Sequence, residues 1–308
     1  MTMVYKFTIA PCGAAGTPLR SDTLFGHACW AILMSEGQER LDGFIAAAAG
    51  QKPELVFSDG FPAGYLPRPK VPQRHEACAS SAAYAQVRSQ LKRQWIRRAD
   101  AEQGDWTGVA QSYEVGYANR PHEEPVLRNV IDRMTGTSLE KNGLYSQNQL
   151  WYEGMWGELD IYVSTEWDVA RMGGFVETLF AVGYGRDQSI GLGRVHITAM
   201  PAPAEFPRGH SGWYMSLSHV VPDATVPLAE CFYQLEVKYG KVWSALGSVN
   251  PFKKRIIQTV PGSVFPAASG TERAGRVLQG IHDNTAVVEN CMGIMYPLPQ
   301  TVLPGGAA

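Results

Sequence analysis

A stretch rich in glycine and arginine near the middle of the chain contains the residues best suited to binding chemistry. Glycine lets the backbone adopt positive φ angles and approach a ligand closely. Backbone N–H groups beside arginine side chains form concavities that bind anions. The stretch therefore predicts a loop that binds the phosphates of RNA. Its candidate RNA-binding residues are Gly183, Gly185, Arg186, Ser189, Gly191, Gly193 and Arg194.

Two other interpretations of the same glycines are a nucleotide fingerprint and a simple connection. A dinucleotide-binding fingerprint must follow a strand and open a helix, whereas here a helix is expected before the loop and a strand after it. A flexible helix-to-strand connection is the structural alternative, and it stays open. Phosphate binding suits the composition better than either.

His27 is a further candidate RNA contact, because of its place on a predicted amphipathic helix. That helix covers residues 21–36, has Ser21 or Asp22 as its cap and ends at Gly37. A groove-facing imidazole opposite the apolar stripe could act as a general base on a ribose 2′-hydroxyl. The sequence places no acid or second histidine beside His27. A solvated histidine on the polar face is therefore the preferred interpretation.

A compact basic triplet follows an aromatic residue in the second half of the chain. Lys253, Lys254 and Arg255 come directly after Phe252, an arrangement suited to phosphate binding and base stacking. Charges that protect a strand edge from aggregation explain the triplet nearly as well. Arginine and lysine are also frequent over residues 84–98, where a surface helix with one basic face is predicted.

Two predicted strands enclose a long polar excursion. Residues 125–137 and 155–164 are expected to pair antiparallel, and the polar stretch 141–154 between them predicts an extended hairpin. Asp132 and Arg133 are neighbours on the first of these strands, so their side chains point to opposite faces. One of the two is expected on the sheet surface where RRM-like folds hold RNA.

The composition limits the classes of protein that fit. The chain has 308 residues and a formal net charge of −2, so any affinity for nucleic acid must come from local basic clusters. No apolar run approaches the ~18 residues needed to cross a bilayer, and a cytoplasmic protein is expected. The five cysteines form no metal-ligand spacing. With no paired carboxylates and no GxxxxGK[ST], HExxH or GxSxG motif, we expect no catalytic residue, metal or cofactor.

The order of predicted elements favours an α+β protein with two ferredoxin-like (RRM-like) domains and antiparallel sheets. In the first part, the order strand, helix, two strands, helix, strand is that of the ferredoxin-like fold. Helices are expected near 41–49 and 168–182, and residues 61–72 are expected to be a loop. Strand-like runs dominate the second part. The predicted units are domain 1–205 with a helical insertion at 75–110 and the hairpin, domain 206–300, and a disordered tail at 301–308.

Five segments, taken in order, resemble the RAMP superfamily and most closely the family of Csm subunit four. They are SDTLFGH, GYLPRPKVP, NVIDRMTGT followed by GLY, GYGRDQSIGLGR and NPFKKRIIQTVPGSVF. The resemblance implies a non-catalytic RNA-binding subunit of a type III-A CRISPR (Csm) interference complex. Such a subunit caps the repeat-derived 5′ handle of the guide RNA (crRNA). It also bridges the large cyclase/polymerase-like subunit to the backbone RAMP subunits, and it meets target RNA only indirectly.

The resemblance also implies roles for particular segments. Residues 183–194 would hold the 5′ handle, and residues 132–137, which include Met134 and Thr135, would begin a thumb-like hairpin across the guide. Lys253 to Arg255 would lie in the second domain, near RNA or the large subunit. Two alternatives remain open. A metal-independent RAMP endoribonuclease that processes precursor crRNA would need His27 or a tyrosine aimed at RNA, and a scaffold would bind protein alone.

Overall fold

The computed structural model describes residues 2–72, 80–82, 84–85, 93–106, 120–139, 143–207, 211–242, 250–266 and 273–303. In these residues helices and strands are mixed, and all the described strand pairs are antiparallel. The expected combination of helices with antiparallel sheets is confirmed.

The described strands are β1 (Met3–Pro11), β2 (Leu55–Phe57), β3 (Phe61–Pro62), β4 (Tyr65–Pro67), β5 (Trp95–Arg97), β6 (His122–Asn129), β7 (Leu144–Trp151), β8 (Leu159–Thr165), β9 (Val195–Pro203), β10 (Trp213–Ser216), β11 (Leu235–Lys238), β12 (Ile256–Thr259), β13 (Val264–Pro266), β14 (Arg273–Leu278) and β15 (Glu289–Leu298). The described α-helices are α1 (Ser21–Glu36), α2 (Gln38–Ala49), α3 (Arg98–Glu102) and α4 (Val169–Phe180).

The first sheet has the strand order β2–β8–β1–β9. Around this sheet, β1, α1, β2, β8, α4 and β9 follow one another as strand, helix, two strands, helix, strand. In this order β2 takes the place of the predicted strand 125–137. Buried apolar residues of the sheet, among them Phe7 and Ile161, share one core with α1 and α4. Gly37 ends α1 as predicted, at φ 89°, but the N-cap is Arg20 and neither Ser21 nor Asp22.

The second sheet has the order β13–β10–β15–β14 and packs against the other face of the first. Tyr162 and Val56 of the first sheet share a buried cluster with Met215, Ile294 and Tyr296 of the second. An isolated RRM-like domain would offer this face to RNA. Here a large part of this face is covered by the protein's own second half.

The second half is rich in strands, as predicted, but its ferredoxin-like form stays a prediction. Its described residues between 211 and 303 contain strands and short 3-10 helices but no α-helix. A 3-10 helix at Gln300–Val302 and the buried Leu303 also correct the predicted disorder at the start of the tail, whereas residues 304–308 lie outside the described residues. The domain boundary at 205 stays a prediction.

The predicted hairpin exists, but with a different second strand. β6 pairs with β7 from His122↔Trp151 to Asn129↔Leu144, while the expected partner, β8, lies between β1 and β2 in the first sheet. β7 was hidden in the polar stretch because most of its residues are exposed or half-buried, so no apolar alternation marks it. Asp132 and Arg133 lie in the turn at the tip and not on a strand.

Two more local predictions are wrong because tertiary pairing decides the structure. Residues 61–72 include β3 and β4, and β4 pairs with β5 in a stretch where a basic helix was expected. Ile96 at the centre of β5 is fully buried, which stabilises strand pairing over helical spacing. Of the predicted insertion 75–110, residues 75–79, 83, 86–92 and 107–110 lie outside the described residues.

Candidate nucleic-acid interface

The predicted phosphate-binding segment is a compact loop between α4 and β9, here called the Gly-rich loop (residues 183–194). Its two ends are joined by a hydrogen bond from Tyr184 N to Gly193 O of 2.8 Å. Gly193 has φ 66°, and a Cβ there would lie 1.9 Å from Tyr184 O. Only glycine fits this position, because both the backbone conformation and the space exclude a side chain.

Tyr184 anchors the loop to the chain that enters α1. Its side chain is buried, and its hydroxyl donates to Pro18 O at 3.0 Å while accepting from Arg20 N at 3.0 Å. Burial raises the pKa of the phenol far above its usual range. The hydroxyl therefore keeps its proton at neutral pH and can donate it to Pro18 O. This hydrogen bond fixes the start of the loop.

His27 of α1 contacts the same loop through a hydrogen bond and a ring stack. Its Nε2 accepts a hydrogen bond of 2.9 Å from Gly185 N, and its ring stacks on Tyr184 with centroids 4.8 Å apart. Burial lowers the pKa of His27 to about 4, so the imidazole is neutral at pH 7. The preferred interpretation of a solvated histidine is wrong. The prediction of an RNA contact remains untested, but the structural role of His27 is to hold the Gly-rich loop.

A short segment after β1 closes the other side of the loop. Thr17 Oγ1 accepts from Arg186 N at 3.0 Å, Ala14 O accepts from Gly193 N at 2.9 Å, and Cys12 N donates to Arg194 O at 2.8 Å. The Gly-rich loop is therefore held by a series of backbone contacts on both of its sides. This contradicts the alternative of a merely flexible connection.

The base of the hairpin joins this unit. Ala15 exchanges backbone hydrogen bonds of 2.8 and 2.9 Å with Leu150 of β7. The Arg186 guanidinium donates to Asn148 O, also on β7, at 2.8 Å. The structure thus brings together two of the regions that the sequence analysis selected separately, the Gly-rich loop and the hairpin.

The two loop arginines differ in how far they are already engaged. Arg186 is bonded to the hairpin, and its Nε lies 3.5 Å from Asp187 Oδ2. Arg194 is exposed, and its guanidinium forms no ion pair or hydrogen bond within the described residues. Ser189 and Gly191 lie on the exposed outer turn of the loop. Of the two side chains, Arg194 is the one free to meet a phosphate.

The tip of the hairpin is a local turn that presents apolar side chains. Asp132 accepts from Met134 N at 2.8 Å through its carboxylate, so it shapes the turn, and the Thr135 hydroxyl lies 2.9 Å from that of Thr137. Met134 is 93% exposed, and Arg133 beside it is exposed as well. Side chains of this kind can insert between bases or pack on a partner.

The basic triplet lies apart from the Gly-rich loop in sequence and has its own partners. Lys253 forms an ion pair with the buried Glu289, and Lys254 Nζ donates to Gly280 O at 2.8 Å. The Arg255 guanidinium lies over the ring of Tyr239, 5.0 Å from its centroid. The expected positive cluster is therefore reduced, because one of its three charges is neutralised inside the protein.

Lys253 belongs to a buried ionic network that the sequence analysis missed. Lys238 contacts Asp22 at 2.7 Å and Glu289 at 2.6 Å, and these ion pairs connect α1 to β11 and β15. The remaining ion pairs of the network are Arg20–Glu236, His219–Asp59 and His219–Glu236. Its members are scattered from residue 20 to residue 289, so no spacing in the sequence reveals them.

The electrostatics of the network favour the charged forms. Burial opposes the charge of His219, but Asp59 and Glu236 outweigh it and raise the pKa of His219 to about 9. The hydrogen bond from His219 and that from Arg20 lower the pKa of Glu236 to about 2, against the effect of burial. Ion pairs that cross from Arg20 and Asp22, at the start of α1, to β11 fix the two halves relative to each other at pH 7.

No three histidine, cysteine, aspartate or glutamate side chains come together as possible metal ligands in the part of the chain that the structure describes. Across the same ranges, no helix combines the length and the apolar character needed to span a membrane.

Comparison with known proteins identifies the fold. No protein-family model and no curated protein matches the sequence. A chain of a Csm1–Csm4 cassette crystallised with AMPPNP matches with a TM-score of 0.59 and 15% identity, over 99% of this chain and 100% of that one. A chain of the Csm3–Csm4 subcomplex of the type III-A CRISPR–Cas interference complex matches with a TM-score of 0.55 and 12% identity, over 97% of this chain and 99% of that one.

Csm4 is the protein common to both of these assemblies. At such identities the likeness concerns the fold. The expected likeness to the fold of Csm subunit four is therefore confirmed.

Proposed function

We propose that this chain, which has the fold of Csm subunit four, is a guide-RNA-binding subunit of a type III-A CRISPR interference complex. The Gly-rich loop holds the phosphates of the 5′ handle, and the hairpin lies across the guide where the handle ends. Subunits of this kind serve antiviral defence.

The observation that carries this proposal is the fixation of the Gly-rich loop against the base of the hairpin. Arg186 donates to Asn148 O at 2.8 Å, and Ala15 pairs with Leu150 beside it. A handle on the loop would therefore continue toward a hairpin held at a fixed position. The exposed Arg194 and the backbone N–H groups of the loop supply the anion-binding chemistry.

We infer that the subunit is not an enzyme. A general base needs a free lone pair, but the Nε2 lone pair of His27 accepts the Gly185 N–H. Burial has also lowered its pKa to about 4, which makes the imidazole a weak base. These features favour handle binding over the alternative of an endoribonuclease that processes precursor crRNA.

The proposed partners follow from the fold. The two matching structures pair Csm4 with Csm1 and with Csm3, and we infer that this chain likewise bridges a large subunit and a backbone subunit. We also infer a ferredoxin-like origin for the first half, supported by its strand order β2–β8–β1–β9. The same origin for the second half rests on its antiparallel sheet alone.

The test is the RNA content of complexes purified through a tag on the large subunit. We expect wild-type complexes to contain RNA with a uniform, repeat-derived 5′ end. Arg186→Ala/Arg194→Ala should lose this RNA, whereas Arg276→Ala, which removes an exposed arginine on β14, should keep it. His27→Ala should leave the length of any retained guide unchanged.

A thermal melt of each variant separates loss of binding from loss of folding. Full RNA occupancy in a normally folded double variant, with its 5′ end still protected from exonuclease, would remove the loop from the proposal. Metal-independent cleavage of repeat RNA that His27→Ala abolishes would establish the endoribonuclease instead.

A further inference from the structure

The two-stranded ribbon of β11 and β12 turns an apolar side to the outside. Val237 and Ile257 are directly opposite each other, and residues two apart on a strand share a face. Leu235 therefore lies on the face of Val237, and Tyr233 and Tyr239 flank β11 just before and just after its ends. All five are exposed, Val237 to 47% and Ile257 to 61%. We call these five residues the outer face of the ribbon.

The inner side of the ribbon is polar except for the buried Ile256, and it is firmly held. Glu236 contacts His219 at 3.2 Å, Lys238 contacts the buried Asp22 at 2.7 Å, and Gln258 is fully buried. A half-exposed strand pair normally turns its apolar side inward. The ion pairs hold the polar side of this ribbon against the protein, so its apolar outer face stays exposed in the isolated chain. Contiguous exposed apolar surface of this kind marks interaction sites.

The border of the outer face carries positive charge. Arg255 lies over Tyr239 with its guanidinium carbon 5.0 Å from the ring centroid. Lys241 Nζ lies 4.8 Å from the centroid of Phe252, and Lys254 is exposed beside them. These contacts keep Arg255 and Lys241 at the edge, where each covers one face of an aromatic ring.

We propose that the outer face of the ribbon is a docking surface for a second protein chain, one that presents an apolar centre bordered by carboxylates. The inference rests on the proposed function, since it takes the partner to be another protein subunit of the same complex. It adds the surface that this subunit occupies and the chemistry that the subunit must present there.

A protein fits this surface better than RNA does. Leu235, Val237 and Ile257 form an aliphatic centre, for which phosphates and riboses offer no complement, whereas apolar centres with polar borders are typical of protein interfaces. Single-stranded RNA is bound by stacking bases on open aromatic faces. The rings of Tyr239 and Phe252 each have one face already covered by a cation. Carboxylates on the partner would complement the positive border.

The test uses the full chain and two purified probes, the large subunit and the backbone subunit of the same complex. Val237→Thr/Ile257→Thr keeps β-branched residues and hence the strands, but makes the centre polar. We expect it to weaken binding to one of the two subunits about tenfold or more, as for central interface residues. Met34→Gln/Val169→Thr, which changes two exposed apolar residues elsewhere, should bind like wild type.

Arg255→Glu tests the border. It should weaken the same interaction at low salt by about tenfold, with a smaller effect at high salt because exposed charges are screened. Binding of a labelled handle RNA to the same preparations serves as the second measurement, and it should be unchanged in all of these variants.

The outcomes separate the two proposals. If wild type binds a subunit and the ribbon variants bind it equally well, the docking surface is wrong while the proposed function stands. Variants that lose RNA but keep both subunits would make the ribbon an RNA surface and overturn the inference. If wild type binds neither subunit, the proposed function and the docking surface both fail.

Discussion

The two arginines of the Gly-rich loop should fail in different ways when each is removed alone. Arg194 is exposed and unpaired within the described residues, whereas Arg186 already donates to Asn148 O on the hairpin. We therefore expect Arg194→Ala to remove a direct phosphate contact. Arg186→Ala should instead loosen the hairpin from the loop.

The expected magnitudes follow from these partners. A charge-assisted hydrogen bond contributes about 1.5–3 kcal/mol, so Arg194→Ala should weaken handle binding by roughly 10- to 150-fold. It should also reduce the slope of log K against log salt by about 1, because one fewer counterion is released. For Arg186→Ala the Ala15–Leu150 hydrogen bonds remain. A smaller loss of affinity with an unchanged salt slope is expected.

The assay is a titration of labelled handle RNA into the chain assembled with its partner subunits, repeated at several salt concentrations. Hydrogen exchange of the β7 amides reports on the hairpin, and it should rise in Arg186→Ala alone. Arg276→Ala on β14 is the matched control and should change neither measurement. An equal reduction of the salt slope in both loop variants would refute the division of roles, since it would mean that Arg186 also binds a phosphate.

Three further predictions address the loop, the hairpin and the ionic network. Gly193→Ala should lower the melting temperature by several degrees, because its Cβ would lie 1.9 Å from Tyr184 O. Gly191→Val has open space around it but a φ of 96° that a β-branched residue does not adopt, so it should distort the loop, reduce RNA binding and also lower the melting temperature. Replacing the tip 131–138 by a two-residue turn should alter target recognition while the complex still assembles and melts normally; unaltered recognition would reduce the tip to a surface loop. His219, with its pKa raised to about 9, contributes stability that is fully present below pH 6.5 and lost as pH rises through 9. The free energy of unfolding of the wild type, measured by urea titration, should therefore fall by up to about 2–3 kcal/mol between pH 7 and pH 10. The His219→Asn variant should not show this fall.

The elements that the sequence predicted well are those whose burial follows a simple period. α1 repeats apolar residues at helical spacing, and Leu24, Ala28 and Ile32 are all buried. β1 and α4 are equally regular and were predicted, whereas the short strand β2 of the same sheet was not. The glycines of the loop were also informative, because a backbone that needs positive φ must use glycine at such positions.

The elements that were missed owe their structure to distant partners. β7 is polar because both of its faces are largely exposed, and it exists because it pairs with β6. β5 exists because it pairs with β4. The role of His27 depends on Tyr184 and Gly185, which lie more than 150 residues away. No local pattern encodes contacts of this kind, so they could be found only after folding.

The distribution of charge shows why basic residues in a sequence overstate the surface available to RNA. Lys238 and Lys253 form ion pairs with Asp22 and Glu289 in the interior. Arg186 donates a hydrogen bond to the hairpin. What remains near the Gly-rich loop is a small number of free cations and a set of ordered backbone N–H groups. Few released counterions give weak binding that is sensitive to salt. The chain alone should therefore bind handle RNA weakly at physiological salt, and affinity should rise when partner subunits hold the RNA on the loop. Tight, salt-resistant binding by the purified chain would contradict this account of the interface.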